Sequence, residues 1–252
     1  MLLDGKNAVV YGAAGAIGGA VSRAFARAGA SVFLAGRTPA TLEAVADDIR
    51  SAGGRAQVAP VDAQDRDAVE AHADEVVARA GSLDVSFNAT SFCALQNVAL
   101  VDIRLQDFLA PVVEAARTHF ITATAAARRM TRQGSGVIIL LSSSAAKETR
   151  HQMGGFNLAC AGIEALTRSL AGEVGRHGVR VVGLRPNFTP ETRPGLSESA
   201  LPFLVKDTLL GRLPHLSEVA DTAVYLASPA AGAMAGAMAG AVVDLSCGAI
   251  VD

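Results

Sequence analysis

Tyr11-Gly12-Ala13-Ala14-Gly15-Ala16-Ile17-Gly18 follows a short apolar run, Asn7 to Tyr11, and opens a helical pattern from Gly18 to Ala28 that Gly29 closes. Glycines at such a bend let the backbone turn sharply and admit a pyrophosphate against it. The helix behind them offers free N–H groups and the positive end of its dipole. Strand, glycine turn and helix in this order are the context in which a glycine pattern points to a dinucleotide. A tight strand-to-helix turn without a ligand is the alternative reading.

Outward from this bend, apolar runs and helical patterns alternate to the end of the sequence. Strands are expected at Ser31 to Ala35, Ala56 to Val61, Leu83 to Phe87, Val137 to Leu141, Val179 to Leu184 and Ala241 to Leu245. Helices are expected from Thr38-Pro39, over Ala68 to Ala80, Phe108 to Met130, Phe156 to Arg176 and Val219 to Leu226. Continuous apolar strands such as Val137 to Leu141 suit a sheet covered on both faces. Strict alternation without a Ser-, Pro- or charge-rich linker predicts one α/β domain over residues 1–252: a Rossmann-type, doubly wound parallel β-sheet with helices on both faces. The least regular stretch, Arg185 to Pro214, holds five of the nine prolines and is expected to form a flap on the substrate side. Phe188, Leu196, Leu201, Phe203 and Leu204 would make that flap greasy, or bury a helix. A local repeat, Gly232-Ala-Met-Ala and Gly236-Ala-Met-Ala, reads as a lengthened surface turn.

Composition narrows the function classes. Half of the 252 residues are hydrophobic, 18% are charged and there is no Trp, so the core must be built of Ala, Val, Leu and Ile. The formal charge of −2 leaves no basic stripe, and nucleic acid is not an expected partner. Cys93, Cys160 and Cys247 are far apart and fit neither a metal site nor a disulfide framework, so a reduced cytoplasmic protein without metal is expected. The uncharged Ala- and Gly-rich stretch Pro229 to Val243 is too short and too weakly hydrophobic for a membrane span.

The glycine turn resembles the Thr-Gly-x-x-x-Gly-x-Gly fingerprint of the short-chain dehydrogenases/reductases, with Tyr11 for Thr, Ala16 for the middle Gly, and Gly15 one position early. The resemblance covers nearly the whole chain. Asp62 matches the family aspartate that meets the adenine. Leu83 to Ser91 resembles the strand entering the Asn-Asn-Ala-Gly motif, with Asn88 retained. Pro186-Asn187 resembles the Pro-Gly after the sixth strand, and Gly240 to Gly248 the C-terminal strand. The resemblance therefore assigns Gly12, Ala14, Gly15, Ala16, Ile17, Gly18, Asp62, Ala63, Asn88, Ala89, Pro186, Asn187 and Thr189 to a nicotinamide cofactor. At the end of the second strand, Ala35-Gly36-Arg37-Thr38 carries no carboxylate to accept from ribose hydroxyls or to repel a 2′-phosphate. Arg37 could grip that phosphate with paired N–H donors, which favours NADP(H) over NAD(H). A solvated surface arginine is the alternative.

The family performs its chemistry with Asn, Ser, Tyr and Lys. Ser143 matches the serine, with Ser142 and Ser144 as neighbours that could take its place. Thirteen positions on, where Tyr belongs, stands Phe156; four further, where Lys belongs, stands Cys160; the Asn position falls on Ala115. Phe156 has no exchangeable proton and Cys160 no fixed charge. The only tyrosines are Tyr11 and Tyr225, so no shift of register restores the donor. Ser143 also reads as a helix-capping serine and Cys160 as a packed small residue. His151, Lys147 and Glu148, on the loop after the serines, are conceivable substitute donors by location alone.

Three functions stay open. One is an oxidoreductase with a rewired proton path, acting on a small carbonyl, alcohol or enoyl substrate; a conjugated enoyl group needs less acid help than a ketone. The second is a protein that binds NADP(H) without turnover, as a sensor or assembly partner. The third is a non-redox enzyme reusing the pocket. By family resemblance a homo-oligomer, tetramer or dimer, is expected through the two long Ala-rich helices and the C-terminal strand.

Overall fold

In the computed structural model, residues 1–195, 201–232 and 240–251 are described. Seven strands form one wholly parallel sheet in the order β3-β2-β1-β4-β5-β6-β7. They are β1 (Asn7–Tyr11), β2 (Ser31–Gly36), β3 (Arg55–Pro60), β4 (Val85–Asn88), β5 (Gly136–Leu141), β6 (Val179–Pro186) and β7 (Val242–Leu245). The helices are α1 (Ala16–Arg27), α2 (Pro39–Ser51), α3 (Arg66–Ala80), α4 (Leu105–Gln133), α5 (Gly155–Val174), α6 (Leu201–Val205) and α7 (Leu216–Ala227). The doubly wound sheet read from the sequence is the one observed.

Side chains alternate across the pleat, so each central strand feeds both cores. Ala8 and Val10 join Val21, Phe25 and Leu42 beneath α1, α2 and α7. Val9 and Tyr11 join Val69, Ala123, Met130 and Ile163 beneath α3, α4 and α5. Alanines on α4 and α5, including Ala115, Ala123, Ala126 and Ala159, are almost fully buried and let those helices lie close to the sheet and to each other.

The strand order reverses between β1 and β4. At such a switch point the loops leaving neighbouring strands diverge, and a crevice opens beyond their carboxyl ends. The bends after β1, β2, β3 and β4 and the end of β5 all deliver residues to this crevice.

Several bounds differ from those read in the sequence. α1 begins at Ala16 rather than Gly18, so Ala16 and Ile17 lie in its first turn. α4 is longer at both ends than Phe108 to Met130. β6 runs through Arg185 and Pro186, so the irregular flap begins after them. Arg185 is 2% exposed, because its charge is neutralised inside the protein by partners the sequence pattern did not reveal. Within the flap, Pro190–Thr192 makes one 3₁₀ turn and Leu201–Val205 makes α6. Leu196 and most of the Gly-Ala-Met-Ala repeat lie outside the described residues.

Candidate nucleotide cleft and catalytic end

The crevice is a cleft of about 410 Å³, lined by the bend after β1 together with Arg37, Thr38, Asp62, Ala63, Thr90 and Leu141 among others. Its shape depends on two glycines. A Cβ on Gly12 would lie 2.6 Å from the Ala89 carbonyl oxygen, and Gly12 has φ +74°. A Cβ on Gly18 would lie 2.2 Å from the Gly12 carbonyl oxygen. The first turn of α1 is thereby packed directly against the bend. Gly15, its N-cap, receives no side-chain capping bond. Backbone N–H groups at a helix start, facing a groove with no side chain in the way, are a receptor for a diphosphate. Tyr11 does not block it: the ring is 2% exposed and turned to the α3 side, edge-on to His72 at 6.2 Å. The residues present therefore fit a dinucleotide.

At one end of the cleft, Arg37, Thr38 and Thr41 from the β2–α2 junction face Asp62, Ala63 and Gln64 from the turn after β3. Asp62 braces that turn by accepting from Gln64 N–H at 3.0 Å. Asn88 is buried, and its amide is consumed internally. Nδ2 donates to Thr122 Oγ1 at 2.8 Å and to the Thr118 carbonyl at 3.3 Å, while Oδ1 accepts from Thr90 N–H and Oγ1–H at 2.9 and 2.7 Å. Asn88 thus fixes the loop that presents Ala89, Thr90 and Ser91. Glu114 and Thr118 also line the cleft, one turn apart on α4 and on either side of the fully buried Ala115. Neither was singled out in the sequence; helical spacing about position 115 is the signal that would have found them.

Beyond Leu141, at the carboxyl end of β5 and outside the residues that line the cleft, Ser143 is the N-cap of a short 3₁₀ turn, Ser144–Ala146, and its Oγ accepts from Ala145 N–H at 3.3 Å. The capping role considered from sequence is its observed contact. Phe156, in the first turn of α5, lies against Phe92 with ring centroids 5.2 Å apart. Cys160 is buried, and its thiol is pushed up to about 12, first by burial and then by the Glu164 carboxylate, with the Ser143 backbone opposing. The thiol is neutral at physiological pH and supplies no positive charge. On α4, His119 donates from Nδ1 to the Ala115 carbonyl at 3.0 Å, since a carbonyl can only accept. Burial lowers its pKa to about 4, against the opposing carbonyls of Ala115 and Leu141.

His151 is engaged with the flap through its ring. Its Nε2 lies 3.3 Å from Asp207 Oδ2, and its ring meets Phe203 of α6 edge-on. Arg150 joins Asp207 at 3.1 Å and is held by Glu148. These contacts tie the loop before α5 to the flap. Of the other positions assigned after β6, Thr189 is buried and accepts from Thr192 Oγ1–H through its carbonyl at 2.7 Å; among the described flap residues, Thr192 lines the cleft.

An open, wholly parallel doubly wound sheet with a glycine-lined groove at its switch point is the Rossmann-type architecture, in which dinucleotides bind at that crevice. Residues 12–244 match the family model described as enoyl-(acyl carrier protein) reductase. The 7α-hydroxysteroid dehydrogenase of Escherichia coli strain K12 is 27% identical over 231 residues, 91% of this chain and 89% of the relative. The gluconate 5-dehydrogenase of Burkholderia cenocepacia J2315, solved with NADP and tartrate, is 26% identical with a TM-score of 0.86, covering 97% of this chain and 95% of that one. A 7α-hydroxysteroid dehydrogenase solved with NADH and 7-oxo glycochenodeoxycholic acid is 25% identical with a TM-score of 0.85, covering 99% and 96%. The chain belongs to the short-chain dehydrogenase/reductase family of oxidoreductases. Among the described residues, no helix is long and apolar enough to cross a membrane.

Proposed function

We propose that this protein binds NADP(H) in the cleft and transfers hydride to or from a small carbonyl, alcohol or enoyl substrate beside Phe156. The observation that carries the reading is the Gly12–Gly18 packing, in which neither residue puts a side chain between the bend and the first turn of α1, so that a diphosphate can approach the backbone there. Bound there, the nicotinamide ring would supply the hydride chemistry. Arg37, lining the cleft with Thr38 and Thr41, favours a 2′-phosphate by charge. Relatives of this fold hold either nucleotide, NADP in one and NADH in another.

At the reacting end the chain offers hydroxyls and hydrocarbon. Ser143 can orient a substrate oxygen when its hydroxyl leaves the cap. Phe156 and Phe92 exclude water and accept a flat apolar group. No tyrosine hydroxyl stands there to protonate an alkoxide. A conjugated enoyl substrate suits the site best, because hydride addition gives a resonance-stabilised enolate that needs no acid at the moment of transfer and can be protonated by water once it leaves the apolar wall. A second reading, nucleotide binding without turnover, is favoured by the same Phe156 and Cys160. Pro186, Asn187 and Thr189 are read as framing the nicotinamide end, and residues 187–214 as the substrate flap.

Titration with NADPH and NADH tests the cofactor assignment. A panel of ketone and enoyl substrates, followed by loss of NADPH absorbance, separates turnover from binding alone. Tight NADPH binding with no turnover on any of them would replace the first reading with the second. Exposed Val113, Phe120 and Leu158 on α4 and α5 suit self-association of a cytoplasmic homo-oligomer, which light scattering would measure.

A further inference from the structure

A buried charge pair stands beside the position where the family lysine is lost. Glu164 lies one helical turn after Cys160 and is 4% exposed; Arg185, at the end of β6, is 2% exposed. Arg185 Nε donates to Glu164 Oε1 at 2.8 Å and Nη2 to Oε2 at 3.2 Å. Ser142 Oγ–H donates to the same Oε1 at 3.1 Å. On its other side Arg185 Nη1 reaches Asp244 Oδ2 at 3.3 Å. Asp244 Oδ1 accepts from Ser246 N–H and Oγ–H at 2.8 and 2.6 Å. The Ser246 carbonyl accepts from Asn187 Nδ2 at 3.4 Å, and Asn187 Oδ1 accepts from Ser144 Oγ–H at 3.0 Å. The chain of bonds begins at Ser142 and ends at Ser144, the two neighbours of Ser143.

We propose that Glu164 and Arg185 are positioning residues for the nicotinamide end of the cleft. Acting through Ser142 on one side and through Asp244, Ser246, Asn187 and Ser144 on the other, they hold the segments after β5, β6 and β7 in one fixed arrangement. A buried ion pair is tolerated when its remaining hydrogen-bond sites are filled, and here Ser142 and Asp244 fill them. The circuit takes over the framing of the serine loop in a chain with no lysine at position 160. Asn187, which stands where the family has glycine, is the link that lets the C-terminal segment set the nicotinamide end.

The inference rests on the NADP(H) reading, and the test separates the two. Binding of NADPH and of 2′,5′-ADP, which lacks the nicotinamide half, is measured by calorimetry for the parent and for Asp244→Asn, Ser144→Ala and Glu164→Gln combined with Arg185→Met. The expected result is NADPH binding weaker by about tenfold, the scale of one lost hydrogen bond, with 2′,5′-ADP binding unchanged. Equal weakening of both ligands, or no change in either, in variants that keep the parent's circular dichroism would overturn the positioning role. Should the double variant fail to fold, Ser144→Ala and Asp244→Asn decide alone, since each removes one neutral or partly exposed link. Failure of the parent to bind 2′,5′-ADP would overturn the NADP(H) reading and this inference with it.

Discussion

Phe156 and Phe92 hold their rings at an interplanar angle of 36° with centroids 5.2 Å apart, closing with hydrocarbon the place where the sequence resemblance expects a proton donor. Phe156→Tyr restores a hydroxyl but not its activation. An unperturbed phenol, with a pKa of about 10, gains nothing from the neutral Cys160 thiol beside it. The single variant is expected to reduce simple ketones no faster than the parent. Adding Cys160→Lys places an ammonium one turn before Glu164, and the pair should gain on the order of 10²–10⁴ in rate. NADPH oxidation with a ketone panel checks this; equal rates for the single and double variants would remove both residues from the catalytic register.

Gly12→Ala should abolish nucleotide binding and lower stability. Its Cβ would press on the Ala89 carbonyl at 2.6 Å, and the φ of +74° is one that alanine adopts at a cost. The left-handed region alone costs about 1–2 kcal/mol for a residue with a Cβ, and the backbone clash adds to it. Urea unfolding gives the stability change and calorimetry the binding. A variant with parental stability and NADPH affinity would show that the bend is not the diphosphate receptor.

Most of the fold was legible because each central strand is a compact apolar run ended by a turn signal. Asn7–Tyr11 and Leu83 to Phe87 read as strands without knowledge of their neighbours. The glycine bend was legible because its glycines serve the local turn and the helix start behind it. What could not be read is pairing across elements. Glu164 and Arg185 are 21 residues apart, and their union depends on how α5 settles on β6. In the sequence Glu164 falls unremarked within the helix read over Phe156 to Arg176, and Arg185 reads as the first residue of a flap. Likewise Phe92 sits in an irregular loop, so its meeting with Phe156 follows from tertiary packing alone. Asn88 was legible as a retained residue but not in its role, which is to brace Thr90 and Thr122.

Arg37→Ala should weaken NADPH and spare NADH. A charge-assisted bond to a phosphate is worth about 1.5–3 kcal/mol, which corresponds to roughly 10- to 150-fold in affinity. Arg37 lines the cleft beside Thr38 and Thr41, where a 2′-phosphate would stand. Titration of the parent and the variant with both nucleotides measures the ratio. An unchanged NADPH-to-NADH ratio would return Arg37 to the role of a surface charge.

Acid should destabilise the fold through two buried histidines before it protonates most carboxylates. His119 has its pKa lowered to about 4 by burial, and His72 is lowered by the same cause with Glu75 opposing. Among the described residues His72 has both ring nitrogens without a hydrogen-bond partner, and for His119 burial outweighs the carbonyls that would favour the charged ring. An unfolded histidine titrates near 6.5. Between that value and about 4 the unfolded chain binds the extra proton and the folded chain does not. Stability therefore rises with pH through this window, is complete above it, and is lost as the pH falls toward 4. For His119 alone the loss from neutral pH to about pH 5 is about 2 kcal/mol. His119→Leu should flatten this slope and shift the acid midpoint of unfolding downward, read from urea titrations at both pH values. A slope identical to the parent's would mean that His119 is already solvated or protonated in the folded protein.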